Sequence, residues 1–329
     1  MWIFDSYYKG TVELWGRENG PIKVSLPFPN SFYMHLTDPP AYREMLAALE
    51  SLYRVEECDF KTIFGPLEGY RIFAGRKVAE KIEIQTRYSA QLYNVDVRHD
   101  QCYLAEHDLF PCGESEESRF SPDFAVPLTR LEVEVKTVGA GGDPLRPGAE
   151  ISSIQICRDR KRSLNGPERT VIADLMELIR SYNPDLILFP YADSWVPAMV
   201  RKAERYGLEP AFSRSGWFKS MASKSYWSYG RANHKEGALI PEGRVLIDTA
   251  KSFVYREGGL KGVLMASRLS GLSPNLTSRF TPGTLISSYE VFEALRRGMA
   301  VPFRKSDAES ARKITDLKAC DRGGMMFQP

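Results

Sequence analysis

The sequence has few of the residues that build disulfide-linked or zinc-binding scaffolds. Its 329 residues include five cysteines and four histidines, and no two cysteines have the CxxC spacing. An odd, scattered set of cysteines argues against a disulfide framework and against a structural zinc site. The histidines are spread without metal-ligand spacing, and no Ser/His/Asp order suggests a hydrolase triad. A reducing cytoplasm is therefore the expected location.

Long apolar runs and a strong net charge are also absent. No run approaches the roughly 20 residues that span a bilayer, and the first ten residues, MWIFDSYYKG, lack the pattern of a signal peptide. The net charge is only +2, so any nucleic-acid argument depends on where the cations cluster. The length and the 43% apolar content fit a globular protein of two domains.

The segment 128–158, LTRLEVEVKTVGAGGDPLRPGAEISSIQICR, contains two predicted strands joined by a loop rich in glycine and proline. In the first strand, charged and aliphatic residues alternate, which puts Glu132, Glu134 and Lys136 on one face. The second strand, Ile151 to Cys157, alternates more weakly and could pair with the first as a hairpin. The charged face either offers carboxylates to a cleft or is simply the solvated face of the strand.

Around this hairpin, the first 86 residues are rich in strand patterns, MWIFDSYYKGTVELWGR, IKVSLPF and SFYMHL. One helix is predicted there, with Asp38 as its cap, Pro39 and Pro40 at its start, and apolar residues at helical spacing, Met45, Leu46, Leu49 and Leu52. Residues 91–113 are predicted to be a connector, and the acidic cluster at 114–122 marks the domain boundary.

The second half alternates strand and helix patterns, which is typical of a layered α/β domain. Amphipathic or apolar periodicity predicts, in chain order, a helix at 167–182, a strand in PDLILFPY, a helix from Trp195 to Tyr206, a strand in RVLIDTA, and helices at Gly259 to Ser270 and Ser287 to Arg297.

The stretch from Ser213 to Lys235, SRSGWFKSMASKSYWSYGRANHK, has five Lys or Arg and five aromatic residues but no Asp or Glu. Interleaved cations and aromatic rings suit phosphate attraction combined with base stacking. A twisted hairpin with a solvated basic face would give the same pattern. The candidate nucleic-acid contacts are Trp217, Phe218, Lys219, Lys224, Tyr226, Trp227, Tyr229 and Arg231.

Three further blocks of sequence are informative: YNVDVRHDQCYLAEHDLFPCG, RVLIDTAKSFVYREGGLKGVLMASRLSG and KACDRGGMMFQP. They resemble the amino-terminal half of archaeal family B DNA polymerases, most closely their divergent second paralogue with a decayed exonuclease. The resemblance implies an α/β fold: a β-rich amino-terminal domain at 1–127, then an RNase H-like (DnaQ-like) 3′-5′ exonuclease-type domain at 128–305. Residues 306–329 would lead towards a palm domain that this sequence does not include.

An exonuclease of this kind cuts a phosphodiester with two metal ions that are held mainly by four carboxylates. The resemblance puts the first pair of ligands at Glu134 and Lys136, whereas a register two residues earlier would give Glu132 and Glu134. It puts the second motif's aspartate at Ala192, with Asp193 beside it. A lysine and an alanine would then stand at ligand positions.

The third exonuclease motif, Tyr-x3-Asp, falls on Thr284 and Ser288. Asp193 or Glu290 could replace a lost ligand only through a local slip of the chain. Three of the four ligands are thus missing, and no bound Mg²⁺ is expected. A surviving site would hold Mg²⁺ through Glu132, Glu134 and Asp193.

The resemblance implies a DNA-binding and structural half of a family B DNA-directed DNA polymerase that acts in replication or repair. Its expected partners are single-stranded or primer-template DNA and a palm-bearing subunit or carboxyl-terminal half, with no membrane. The chain alone should not polymerise, because the sequence stops at Pro329, before the first palm carboxylate. A residual metal-dependent 3′-5′ exonuclease and a protein-binding adaptor without DNA contact are the alternatives.

Overall fold

The computed structural model describes residues 1–113, 119–121, 124–138, 149–228 and 231–304. Its strands, in chain order, are β1 (Trp2–Tyr8), β2 (Val12–Arg17), β3 (Pro21–Leu26), β4 (Phe32–His35), β5 (Val55–Thr62), β6 (Gly65–Ile72), β7 (Gln91–Tyr93), β8 (Arg130–Thr137), β9 (Ile151–Cys157), β10 (Lys161–Asn165), β11 (Leu186–Phe189), β12 (Phe218–Met221), β13 (Lys224–Ser228), β14 (Arg231–Lys235), β15 (Ala238–Pro241) and β16 (Val245–Asp248). Its helices are α1 (Arg43–Leu52), α2 (Arg76–Gln85), α3 (His99–Glu106), α4 (Glu168–Tyr182), α5 (Ala192–Arg205), α6 (Phe253–Ser270), α7 (Pro274–Thr277) and α8 (Pro282–Arg296).

The chain divides into two compact units. Unit 1 comprises Met1–Pro29 and Arg98–Arg297, and unit 2 comprises Asn30–Val97 together with the residues from Gly298 onwards. This division differs from the predicted domains, because the first three strands fall in the same unit as the second half of the chain. Trp2 of β1, for example, lies in one buried cluster with Leu186 of β11.

Unit 1 is built on a five-stranded sheet with the order β10-β9-β8-β11-β16. The strands β8, β11 and β16 run parallel, whereas β9 and β10 are antiparallel to their neighbours. The alternation of β8 is retained, since Leu131 and Val133 are buried while Glu134 and Lys136 are exposed. The predicted hairpin of β8 and β9 is confirmed, with Glu134 opposite Gln155.

The sheet of unit 1 is covered on both faces, and β11 shows this most directly. Ile187 and Phe189 belong to a core formed with α4 and α5. Leu186 and Leu188 belong to a second core, formed with β1, β2 and α6. Since successive side chains of a strand point to opposite faces, all four aliphatic and aromatic residues of β11 are buried.

Unit 2 contains a four-stranded antiparallel sheet with the order β5-β6-β4-β7. The helices α1 and α2 contribute Leu49 and Ile82 to its core. Residues that follow α8 complete the unit, because the backbone N–H of Ala300 donates to Lys61 (2.7 Å) and that of Phe303 donates to Leu92 (2.8 Å). The Phe303 side chain is buried in the same core.

Most predicted elements are confirmed, and the differences among the helices are two that were not predicted and several that start elsewhere than predicted. The helix α2 was not predicted, and α3 lies in the segment predicted as a connector. Asp38 precedes a short 3-10 helix, Pro39–Tyr42, but its side chain makes no cap hydrogen bond, and α1 begins after that helix. The helices α5, α6 and α8 all begin three to six residues before their predicted starts.

The predicted α/β class with a β-rich amino-terminal part is confirmed. Over the described ranges, no helix combines the length and apolar character that a membrane crossing needs.

Candidate functional site

A cleft of about 430 Å³ opens in unit 1 where the parallel strands β11 and β16 end. Crevices at the carboxyl ends of parallel strands are the usual ligand sites of α/β sheets. The exposed face of β8 and β9 supplies one wall, the turn after β11 and the residue after β16 supply the other, and α6 contributes a tyrosine. The polar and aromatic lining residues are Glu132, Glu134, Gln155, Lys161, Thr249 and Tyr255.

The Glu134 carboxylate in this cleft is linked to a lysine through Gln155. With its amide oriented to satisfy both neighbours, Gln155 donates to Glu134 Oε2 (3.3 Å) and accepts from Lys136 Nζ (3.0 Å). The register explains this arrangement, because Glu134 and Lys136 lie two residues apart on one face and Gln155 lies between them on β9. The cation therefore offsets charge that a metal ion would otherwise neutralise.

Asp193 stands in the first turn of α5 and is committed to an arginine. Arg279 Nε donates to Asp193 Oδ1 (3.0 Å) and Oδ2 (3.1 Å), and Arg279 Nη2 donates to Oδ1 (2.5 Å). The arginine side chain is only 3% exposed, and its Nη1 also donates to the carbonyl oxygens of Leu246 and Asn275. Asp193 does not line the cleft. Such a fork-shaped pair fixes both partners.

Asp248, at the end of β16, is a buried carboxylate that the sequence analysis did not select. It accepts backbone N–H groups from Tyr191 (3.0 Å), Asp193 (3.3 Å), Ala250 (3.1 Å) and Lys251 (2.9 Å). Burial raises the pKa of Asp248, and the charge of Asp193 adds to this, while the backbone donors act in the opposite direction. These hydrogen bonds connect the turn after β11 to the end of β16, so the Asp248 carboxylate has a structural role.

The remaining predicted ligand positions do not converge on the cleft. Ala192 is fully buried in the core formed with α4 and α5. Ser288 lies in α8, where its hydroxyl donates to the Thr284 carbonyl (2.8 Å) in its own helix. Glu290 lies two residues further along the same helix. None of these three lines the cleft, so of the predicted ligands the structure brings only Glu132 and Glu134 together there.

The donor set of the cleft does not fit two divalent metal ions. Within the described ranges, no three side chains of the Asp, Glu, His or Cys type are placed to hold one metal. Mg²⁺ requires six oxygen ligands in near-octahedral geometry, and a two-metal site needs several carboxylates to balance its charge. Glu132 and Glu134 are the two carboxylates of the lining, and the cation Lys161 lines the same cleft.

The basic aromatic stretch is divided by the structure into a packed part and an exposed part. The packed part comes first: the Trp217 ring stacks on Tyr7, with centroids 5.8 Å apart, and Lys9 Nζ lies 4.4 Å from the Trp217 ring centroid. Phe218 packs against the main core of unit 1. Lys219 is half-buried, and this burial lowers the pKa of its ammonium group.

The exposed part is the hairpin of β13 and β14. Lys224 is exposed at its start, and the Trp227 side chain is 77% exposed, opposite Ala232. Tyr226 and Arg231 belong to the same two strands, whereas Tyr229 lies outside the described residues. An indole ring left in water on a strand is free to stack on a base. Of the candidate contacts whose side chains the structure describes, Lys224 and Trp227 are thus the exposed ones.

Comparison with known proteins gives a related sequence and a related fold. No family model matches the chain. A DNA polymerase of Archaeoglobus fulgidus is 24% identical over 249 residues, which cover 65% of this chain and 32% of that protein. The family B DNA polymerase of the hyperthermophilic archaeon Pyrobaculum calidifontis has a similar fold, with a TM-score of 0.67 at 15% identity over 95% of this chain and 52% of that chain.

These two relatives confirm the resemblance to archaeal family B DNA polymerases. The chain spans about a third of the length of the curated relative and about half of the length of the solved one.

Proposed function

We propose that the chain is the DNA-binding, structural amino-terminal half of a family B DNA polymerase with an inactivated exonuclease site. In this proposal, unit 1 carries the RNase H-like domain around the sheet β10-β9-β8-β11-β16. The related sequence and the similar fold support a role beside a polymerase active site. A palm-bearing subunit or carboxyl-terminal half would then supply the polymerising carboxylates, and the two together would act in replication or repair.

The observation that carries the inactive-site proposal is the pairing of carboxylates with cations. Asp193 is fixed by Arg279, and Glu134 is linked through Gln155 to Lys136. A carboxylate that already has a fixed cationic partner must lose that partner before it can bind a metal, and this loss opposes binding. Asp193 is thus held in an ion pair outside the cleft, and Glu134 within the cleft is held by an amide that also binds a lysine.

The nuclease assay tests this proposal directly. We expect no Mg²⁺- or Mn²⁺-dependent shortening of a 3′-labelled single strand by the intact chain, because two metal ions lack a ligand set. The matched control is Glu134→Ala, which removes a cleft carboxylate. Shortening that the intact chain performs and Glu134→Ala abolishes would replace the proposal with the residual exonuclease that uses Glu132, Glu134 and Asp193.

The DNA-binding part of the proposal depends on the hairpin of β13 and β14. If Trp227 stacks a base, Trp227→Ala should weaken binding of a labelled oligo(dT) about tenfold and leave the slope of log affinity against log salt nearly unchanged. If Lys224 contacts a phosphate, Lys224→Ala should reduce that slope by about 0.7. The measurement is fluorescence anisotropy across a salt series.

Lys77→Ala is the matched control, because Lys77 is an exposed lysine of α2 in unit 2. An unchanged affinity and slope in both hairpin variants would make the hairpin an ordinary solvated face. An intact chain that binds no oligonucleotide even at low salt would instead favour the adaptor function.

A further inference from the structure

The turn between β9 and β10 carries a concentration of positive charge that lies outside the hairpin of β13 and β14. Within five residues, RDRKR at 158–162, the turn and the first two residues of β10 have four cations and one carboxylate, and all five residues are exposed. Arg158 pairs with Asp159 (Nε to Oδ2, 3.1 Å). In the part of the chain that the structure describes, Arg160, Lys161 and Arg162 have no carboxylate within ion-pair distance.

Three of these cations, Arg158, Arg160 and Arg162, line a groove of about 230 Å³ on the helix-covered face of the sheet, together with Asp159, which is paired with Arg158. Arg162 lies opposite Ile156 in the register, which puts it on the face that carries Leu131 and packs against α4. The groove has an apolar floor that ends at Tyr182, the last residue of α4, and Arg160 and Arg162 stand at its rim. We call it the Tyr182 groove.

An arginine already occupies the aromatic face in this groove. The guanidinium carbon of Arg158 lies 4.2 Å from the Tyr182 ring centroid, and the Arg158 side chain is 56% exposed. An exposed arginine stacked on a ring is held by a weak interaction. A flat ligand can therefore take its place on the ring or stack on the outer face of the guanidinium.

We propose that the Tyr182 groove binds single-stranded nucleic acid, with phosphates on Arg160 and Arg162 and a base against Tyr182. Arg160 ends the turn and Arg162 is the second residue of β10, so their Cα atoms lie at most about 7 Å apart and the two side chains can contact successive phosphates of an extended chain. Guanidinium groups bind phosphate oxygens in pairs, and an aromatic floor accepts any base. The inference rests on the proposed DNA-binding function and gives it a second contact surface.

An acidic peptide is the competing ligand, and the floor of the groove argues against it. Peptide carboxylates would pair with Arg160 and Arg162 but would leave the ring of Tyr182 and the apolar floor without a partner. A nucleotide has a phosphate and a flat base on one short unit, which matches a charged rim beside an aromatic floor. Competition between poly-glutamate and oligo(dT) for the chain tests which of the two ligands the groove prefers.

The phosphate contacts are tested by the double variant Arg160→Ala/Arg162→Ala in the full chain. Since each phosphate contact on a single strand contributes about 0.7 to the slope of log affinity against log salt, the slope for oligo(dT) should fall by about 1.4. The matched control is Arg201→Ala/Arg205→Ala, which removes the same charge from exposed positions on α5. The control should change the slope by much less.

The base contact is tested by Tyr182→Leu, which keeps an apolar side chain against the core. This variant should bind oligo(dT) about fivefold or more weakly, because one stacked base is lost. For an abasic oligonucleotide as long as the oligo(dT), the variant and the intact chain should have the same affinity. A general loss of folding would weaken the binding of both ligands, so the comparison separates stacking from instability.

Three outcomes overturn the inference. In the first, Arg160→Ala/Arg162→Ala leaves the slope of log affinity against log salt unchanged while Trp227→Ala still weakens binding. This result would contradict DNA binding by the Tyr182 groove and leave the proposed function unaffected. Unchanged binding of oligo(dT) by Tyr182→Leu would remove the base contact. Displacement of oligo(dT) by poly-glutamate at equal charge concentration would make the groove a protein-binding surface. If the proposed DNA-binding function itself is wrong, the result is different from all three outcomes, because the intact chain would then bind no oligonucleotide.

Discussion

At the scale of single residues, the least expected group is the buried carboxyl of Asp5 in β1. It is 3% exposed, and its Oδ1 accepts hydrogen bonds from the hydroxyl of Ser273 (2.5 Å) and the amide of Asn275 (3.4 Å). Burial raises the pKa of Asp5 to about 7, although these hydrogen bonds and one from the Gly243 backbone lower it. The folded chain therefore keeps a proton that the unfolded chain releases near pH 4.

This proton makes stability fall as the pH rises. Between about pH 4 and pH 7 the folded state binds one more proton than the unfolded state, so the free energy of unfolding should decrease by up to about 4 kcal/mol. The Asp5→Asn variant has no titrating group at this position, so it does not lose this contribution to the free energy of unfolding. Its stability relative to the parent should therefore rise between about pH 4 and pH 7. Urea unfolding at pH 4.5 and pH 8 measures it.

Asp174→Asn provides the control for Asp5→Asn, because Asp174 is exposed on α4 in the same unit. A relative stability of Asp5→Asn that is the same at both pH values would contradict the assigned titration. A constant offset between the variant and the parent would reflect only the altered hydrogen bonds to Ser273 and Asn275.

At the scale of elements, α6 contains a break at Gly259 that separates the turn carrying Tyr255 from the rest of the helix. The backbone of Gly259 has φ 61° and ψ −161°, a region that is essentially restricted to glycine. A Cβ atom added at Gly259 or at Gly258 would meet nothing within 4 Å. The two neighbouring glycines therefore differ in backbone conformation and not in available space.

The two glycines provide a matched pair of substitutions. Gly259→Ala should lower the free energy of unfolding by about 1 to 3 kcal/mol, because alanine is strained in this conformation. Gly258→Ala should raise it by about 0.5 to 1 kcal/mol, because the backbone there is helical. Urea denaturation of both variants checks the opposite signs, and stabilisation by Gly259→Ala would show that α6 is a continuous helix.

The sequence predicted those elements whose signal is local. The period of two in β8, the apolar stripe of α4 and the apolar run of β11 each follow from neighbouring residues. The early start of α8 could also have been predicted from the sequence, because Thr281 is a typical N-cap residue and Pro282 is favoured at the first helical position. The helix α2 was missed because only two of its residues, Ala79 and Ile82, are buried.

The candidate site could be predicted only in part, since its decisive contacts join residues far apart in the chain. The alternation of β8 predicted that Glu132 and Glu134 share a face, and both do line the cleft. The pairing of Asp193 with Arg279 spans 86 residues, and nothing local to either residue indicates it. The division of the basic aromatic stretch also depends on a distant residue, Tyr7, which stacks on Trp217.

At the scale of the whole molecule, the two units have separate cores and different optical signals. All five tryptophans, Trp2, Trp15, Trp195, Trp217 and Trp227, belong to unit 1. Tryptophan fluorescence therefore follows the unfolding of unit 1, whereas far-UV circular dichroism follows both units. Each unit can be destabilised separately by a core substitution.

Phe303→Ala should destabilise unit 2 selectively. Phe303 is 8% exposed in the core of that unit, so its truncation should cost about 3 kcal/mol. The urea midpoint by circular dichroism should then fall below the midpoint by fluorescence. Phe64→Ala is the control, because Phe64 is 90% exposed in unit 2. Equal shifts of both midpoints in Phe303→Ala would mean that the chain unfolds as one cooperative body.

The late arrival of the segment that completes unit 2 has a consequence for synthesis on the ribosome. Asn30–Val97 emerges early, but its backbone partners Ala300 and Phe303 follow only after residues 98–297 have been translated. At about 5 to 20 residues per second this interval lasts roughly 10 to 40 s. During it, the carbonyl groups of Lys61 and Leu92 and the gap left by Phe303 stay open on the nascent chain. Unit 2 therefore stays incomplete, and exposed to chaperones and to mispairing, throughout this interval, although most of it is made first.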